Sequence, residues 1–209
     1  MYTYEEIRQR TAYLRGETNY NLDSDEVIEN HINASVKDIC NSFSFSWNLT
    51  TTDITLSSGT ANLPSDYNSK WGLYDAREGE NIFEQIDIKD RDKFGSADYK
   101  YYITYDATNK VYVFNSPGVQ SGTVTIYYYF VPEVMDEDTD QCIVPDGEAV
   151  AYLAASKMWI GDERNQALKQ DYEKEAGARI TAMYRDDLNS GPDITQGNII
   201  DYNSNLSGY

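Results

Sequence analysis

The sequence contains one histidine and two cysteines, and each scarcity removes a class of chemistry. A Ser-His or Cys-His nucleophile system would have to rest on His31 alone. No nucleophile elbow, P-loop or Gly-rich phosphate motif accompanies it. Zinc needs clustered imidazole and thiolate ligands, and one His with the distant pair Cys40 and Cys142 does not supply them. With no CxxC, the two cysteines read as free, buried thiols in a reducing compartment. Long apolar runs are missing as well. Mean hydropathy is −0.64, and nothing approaches the ~18 apolar residues expected of a membrane helix. The start, Met1-Tyr2-Thr3-Tyr4-Glu5-Glu6, has neither a basic nor an apolar signal region, so no secretory signal is expected. The N-x-S/T strings at Asn33, Asn48 and Asn205 then read as coincidence.

Positive charge is also scarce. Seventeen Lys and Arg face 35 Asp and Glu, for a net charge of −18. So acidic a surface repels phosphate, which argues against a direct grip on nucleic acid. It is compatible with a conduit that lets DNA pass. The abundant residue is tyrosine, with 19 copies against 6 Phe and 3 Trp. Tyrosine buries a ring while keeping a wet hydroxyl, which suits half-exposed sheets and protein interfaces.

The hydrophobic period divides the chain. Tyr4, Ile7, Thr11 and Leu14 make one stripe of a helix over 3–15, with Gly16 as its stop. Asp23 and Glu26 read as a capping box for a second helix carrying Ile28, Ile32, Val36, Ile39 and Phe43 on one face. The period then shortens to two. Phe43, Phe45, Trp47 and Leu49 alternate with polar residues and predict a strand. Further strands are expected at 53–56, 71–76, 82–88, 101–105, 110–114 and 123–131, with turns at 57–60 and 78–80. Pro132 ends the β-rich stretch. Helical spacing returns with Val150, Leu153, Ala154, Met158 and Trp159. After a break at Gly161-Asp162 it resumes with Leu168, Tyr172, Ala176, Ile180, Met183 and Tyr184.

These signals predict an α+β fold: a helical layer from the N- and C-terminal helices, with an inserted small antiparallel β-sandwich or barrel. The expected divisions are N-terminal helices at 1–43, a β-rich segment at 44–132, an acidic loop at 133–146, a helical hairpin at 147–188 and an extended tail at 189–209. Within the loop, Asp136, Asp138 and Asp140 match the first three ligands of a calcium loop. The pattern then fails at Gln141 and Gly147, where Gly and Glu are required, so a solvated acidic loop is expected. No catalytic residue, cofactor or metal ligand is expected.

Several strings occur in a telling order. Leu63-Pro64-Ser65-Asp66-Tyr67 precedes an aromatic strand. Tyr127-Tyr128-Tyr129-Phe130-Val131-Pro132 leads into the acidic loop. Cys142-Ile143-Val144-Pro145-Asp146 comes next, then Ala151-Tyr152-Leu153-Ala154-Ala155, Asp162 with Arg164, Ala167 and Tyr172-Glu173. This order, across roughly 1–188, resembles the head-to-tail adaptor family of tailed bacteriophages, the tail-tubular or head-completion connectors. The resemblance implies a non-enzymatic virion protein at the head–tail interface, assembled in the host cytoplasm. It would form a ring homo-oligomer, usually twelve-fold, beneath the phage portal protein. Double-stranded DNA would pass through without specific binding, and a downstream tail or nozzle protein would attach below. No membrane is implied. The tail does not align with the family pattern. Its apolar residues Ile194, Ile199, Ile200, Tyr202, Leu206 and Tyr209 are candidate interface residues. The competing reading is a carbohydrate- or protein-binding β-domain of a phage or bacterial surface assembly, with Tyr and Trp platforms. The helical ends argue against it.

Overall fold

The computed structural model describes residues 1–16, 26–95, 98–158 and 165–190. Among the described residues four α-helices frame an eight-stranded sheet: α1 (Tyr4–Leu14), α2 (Glu26–Cys40), α3 (Gly147–Met158) and α4 (Gln166–Ser190), with the strands between α2 and α3. The architecture is α+β, as the periods predict.

Helix α1 starts where local chemistry satisfies its free N–H groups. The Glu6 N–H donates to the Thr3 hydroxyl at 3.2 Å, and the Thr3 N–H donates to the Glu6 carboxylate at 2.8 Å. This capping box is worth about 0.5–2 kcal/mol. Tyr4, Ile7, Thr11 and Ala12 face inward, and Gly16 with φ +88° closes the helix. In α2, Ile28, Ile32, Val36 and Ile39 are buried as the stripe predicts. Asp23, expected to cap α2, lies outside the described residues. Helix α3 is nearly all small residues on its inner side. Ala149, Ala151, Ala154 and Ala155 are fully buried, which lets α1, α2 and α4 pack closely around it.

The expected strand at Phe43–Leu49 is not one. Helix α2 ends at Cys40, Ser46–Asn48 forms a 3-10 turn, and β1 starts only at Leu49. The alternating aromatics serve a different purpose. Phe43 stacks on Tyr184 of α4 with centroids 4.3 Å apart, and Phe45 stacks on Trp47 at 4.6 Å. The Ser46 N–H donates to the Asp187 carboxylate at 2.8 Å. Period two here reflects rings anchoring a connector to the helical layer, and strand pairing begins only at Leu49.

β1 (Leu49–Ser57) pairs along its whole length with β8 (Ser121–Tyr129), antiparallel, from Leu49 opposite Tyr129 to Ser57 opposite Ser121. The tight turn from β1 to β2 (Thr60–Asn62) uses Ser58 at φ +52° and Gly59 at φ +76°. Two successive positive φ values match the twist of the flanking strands. A Cβ at Gly59 would stand 2.6 Å from the Ser116 carbonyl, so glycine is required there. β3 (Leu73–Glu78), β6 (Lys100–Asp106) and β7 (Val111–Asn115) complete the longer strands.

The single strand expected at 82–88 is instead two short ones, β4 (Asn81–Ile82) and β5 (Glu84–Gln85), followed by a 3-10 segment at Ile88–Lys93. The strand order is β4-β3-β8-β1-β2-β7-β6-β5. Because β4 and β5 are separated only by Phe83, one continuous stretch touches both ends of that order. The Phe83 N–H donates to the Ala76 carbonyl on β3, while the Ile86 N–H donates to the Tyr101 carbonyl on β6. The sheet therefore curls into a nearly closed barrel. Its interior is aromatic: Tyr67, Phe83, Tyr101, Phe114 and Tyr128 pack with Ile54, Leu56, Val124 and Ile126.

Candidate assembly interface

Three places where distant segments meet shape the surface. The first is the acidic loop. It is not simply solvated, because it lies across the start of α1. The Tyr4 N–H donates to the Asp140 carbonyl at 2.8 Å, and the Glu5 N–H donates to the Asp138 carbonyl at 3.3 Å. The Asp140 carboxylate accepts the N–H groups of Asp136 and Glu137, each at 3.0 Å. These bonds, that from Glu137 first, hold it below the usual carboxylate range. Asp138 pairs at 2.5 Å with Arg8, which is 5 % exposed and also faces Glu29 at 3.7 Å. Asp138 and Asp140 are thus occupied in shaping the loop and anchoring it on α1. Among the described residues no cluster of three or more potential metal ligands occurs.

The second place is where α1, α3 and α4 converge. Arg10 reaches Glu148 at 2.9 Å and lies over the Tyr152 ring. Arg179 approaches the same ring and pairs with Asp146 at 3.0 Å. Burial opposes the charge of Arg179, but the hydrogen bonds and charges of Asp146 and Glu175 outweigh it and raise its pKa. Asp146 also accepts the Glu148 N–H at 3.0 Å, capping α3. The Tyr172 hydroxyl donates to the Leu14 carbonyl at 2.7 Å. Sequence reasoning missed Arg8, Arg10 and Arg179, because each pairs with a residue far away in the chain. The one local signal is Glu175–Arg179 at helical spacing.

The third is the seam between barrel and helices, where Leu63-Pro64-Ser65-Asp66-Tyr67 shows its physical role. The Tyr67 N–H donates to the Pro64 carbonyl, closing a turn. The Asp66 carboxylate accepts the Tyr128 hydroxyl at 3.1 Å, and the Asp66 carbonyl accepts the Val131 N–H at 2.6 Å. The motif clamps the end of β8. Asn68 donates to the Asn41 side chain at 2.8 Å, tying the clamp to the end of α2. A cleft of about 440 Å³ opens beside it, lined by Val36, Phe130, Pro132, Met135 and Ile143 among others.

His31 sits half-buried on α2, and its carbonyl accepts the Ser35 hydroxyl at 2.7 Å. Cys40 and Cys142 are buried and free within the helical core. Burial, helped by its neighbour Cys142, pushes the Cys40 thiol up to about 12, and burial pushes Cys142 up to about 11. Both remain protonated at neutral pH, so neither is poised as a thiolate. The interface candidates Ile194, Ile199, Ile200, Tyr202, Leu206 and Tyr209 lie outside the described residues. The break at Gly161-Asp162 and Arg164 also lie outside them. Exposed apolar side chains elsewhere include Tyr13, Tyr74, Ile82, Tyr105 and Leu188. Among the described residues no helix is long and apolar enough to cross a membrane.

Fold and surface define an α+β protein, a barrel inserted between helices drawn from both ends of the chain, whose polar clusters hold segments together. The SU10 adaptor protein family matches residues 2–196, and the chain belongs to that family, a bacteriophage structural adaptor family. No curated protein matches the chain.

Proposed function

We propose that this protein is a ring-forming head-to-tail adaptor. It docks on the portal protein, extends the DNA channel and offers a platform to the next tail component. The observation that carries this reading is the family match, which spans both the helical layer and the barrel. The net charge of −18 supports it, since a wall without a basic lining would let DNA slide without counterion release. So does the way the polar clusters are used, holding α1, α3, α4 and the acidic loop in place. The mechanism is mechanical and needs no cofactor. In this reading the units are the helical ends at 1–43 and 147–188, the β-rich insert at 44–132, the loop at 133–146 and the tail at 189–209. Ile194, Ile199, Ile200, Tyr202, Leu206 and Tyr209 dock the tail on a neighbour, the portal or the adjacent adaptor copy. Ordering a chain end costs about 1–2 kcal/mol per residue in backbone freedom, and each apolar side chain buried on a partner returns about 1.5–3 kcal/mol.

Negative-stain imaging of the protein mixed with its portal tests the proposal. Rings stacked coaxially on the portal are expected. Truncation after Ser190 should leave a folded chain with an unchanged melting curve and at least about 100-fold weaker docking. Side-on or irregular attachment, or docking that survives truncation, would overturn the respective part. Tight DNA binding by the free protein at physiological salt would sink the sliding argument.

A further inference from the structure

Every strand edge leaves backbone donors and acceptors to be satisfied. The barrel closes through residues 81–86 at one end only, and the register identifies what remains open. On β7, the Tyr112 carbonyl and the neighbouring Ser116 N–H bond toward β2. Alternation therefore turns Val111, Val113 and Asn115 toward β6, where their partners are Asp106, Thr104 and Tyr102. Residues 101, 103 and 105 of β6 then face away from β7. The Tyr101 carbonyl is used by Ile86 at 2.8 Å. Beyond that bond, no backbone hydrogen bond among the described residues reaches Ile103 or Tyr105.

The other edge of the gap, on β3, is blunted. The Asp75 carboxylate accepts the Ala76 N–H at 2.9 Å and pairs with Arg77. β6 has no such device, since Tyr101-Tyr102-Ile103-Thr104-Tyr105 contains no charge and no proline. Its inward-facing row also runs out of cover. Tyr101 is 4 % exposed and Ile103 half-buried, but Tyr105 is 54 % exposed, with its ring 5.0 Å from that of Tyr112. An added strand with apolar residues on that side would complete the row.

We infer that the free edge of β6 receives residues 198–202 of a second copy of this chain as an added strand. The inference rests on the reading that the tail docks on a neighbour, and it names where. Asn198-Ile199-Ile200-Asp201-Tyr202 is rich in β-branched and aromatic residues, with Ile200 and Tyr202 on one face. Nineteen residues follow Ser190, the last of α4. The stretch from Ser190 to Asn198 spans about 27 Å when extended, which sets how far the segment can reach from its own α4. Residues 191–209 carry Asp193 and Asp201 and no Lys or Arg; at the edge Lys100 is paired with Glu84, and Asp106 and Lys110 lie at its far end. Tail of one copy on β6 of the next is a heterologous contact, the type that propagates around a ring.

The test mixes full-length Tyr105→Cys with full-length Tyr202→Cys under mild oxidation. Each chain carries one new thiol, and Cys40 and Cys142 are buried. A cross-linked peptide joining positions 105 and 202 is expected. It should fall at least about tenfold when the second chain also carries Ile200→Pro, which blocks strand pairing. No such link, or one indifferent to Ile200→Pro, overturns the inference. So does a link that forms within one doubly substituted chain and not between copies. Amide exchange of the unmodified protein separates the two readings. Ile103 and Tyr105 should slow about tenfold or more on assembly. Slowing in the tail but not at Ile103 and Tyr105 leaves the docking tail standing and removes β6 as its site. No slowing anywhere removes both.

Discussion

The helical layer and the barrel are built on opposite plans. The barrel comes from one continuous stretch, 49–129, with a core dominated by rings: Tyr67, Phe83, Tyr101, Phe114 and Tyr128. The helical layer draws on both ends of the chain. Its core is mostly aliphatic and small, with Ile28, Ile32, Ile39, Val150 and a run of alanines beside the buried rings of Tyr4 and Phe45. Ion pairs join its halves: Arg8 to Asp138 and Arg10 to Glu148. A continuous segment can cover its core with nearby strands. A layer of distant pieces must hold register with directional contacts, since alanines give close approach but little shape to lock.

The sharpest way to break this contrast is to damage one core and watch the other. Phe114 is fully buried and stacks on Tyr101 at 4.9 Å. Phe114→Ala should cost about 3–5 kcal/mol, and Ile32→Ala in the layer about 2–5 kcal/mol. Native-state amide exchange should find Phe114→Ala loosening β6, β7 and β8 before α1 and α3, and the reverse for Ile32→Ala. Uniform loosening by both would show one cooperative unit instead of two.

Arg8→Ala probes the directional contacts and should have a smaller effect. Its partners Asp138 and Glu29 are partly wet, so they rehydrate on its removal, and a loss of about 1–3 kcal/mol is expected. Faster exchange at the Tyr4 and Glu5 amides, which bond the loop, would accompany it. A change confined to the barrel would contradict the division of roles.

The smallest effect at neutral pH is expected from Tyr128→Phe, about 0.5–1.5 kcal/mol for the hydrogen bond to Asp66. Alkali sharpens the comparison. Burial raises Tyr101 and Tyr128 from 10.0 to about 12, and Cys40 from 9.0 to about 12. A raised folded-state pKa gives stability that is complete below the unfolded value and is lost as pH climbs toward the folded one. The layer should therefore begin to weaken above about pH 9 and the barrel above about pH 10. Circular dichroism in the far ultraviolet and tyrosine fluorescence, followed together, would separate the two. In Tyr128→Phe the barrel limb should be shallower.

How much of this was legible depends on the range of the interactions. The inward faces of α1 and α2, the Ser58-Gly59 turn and strands β6 and β7 follow from spacing and turn chemistry. These act over a few residues, so the sequence by itself determined them, along with the acidic surface and the α+β class. The stretch 43–47 misled because aromatic alternation fits a pleated strand as well as an anchored connector. Only Tyr184 and Asp187, on a helix far along the chain, decide between them. The splitting of 82–88 had the same cause: a segment that must bond β3 and then β6 cannot remain one strand. Arg8, Arg10 and Arg179 were invisible as structural residues, since each is an ordinary charge until its partner is brought to it. Tertiary structure alone decided barrel closure, the paired loop and the edge left free on β6, because a backbone hydrogen bond or a buried charge depends on which distant segment arrives beside it.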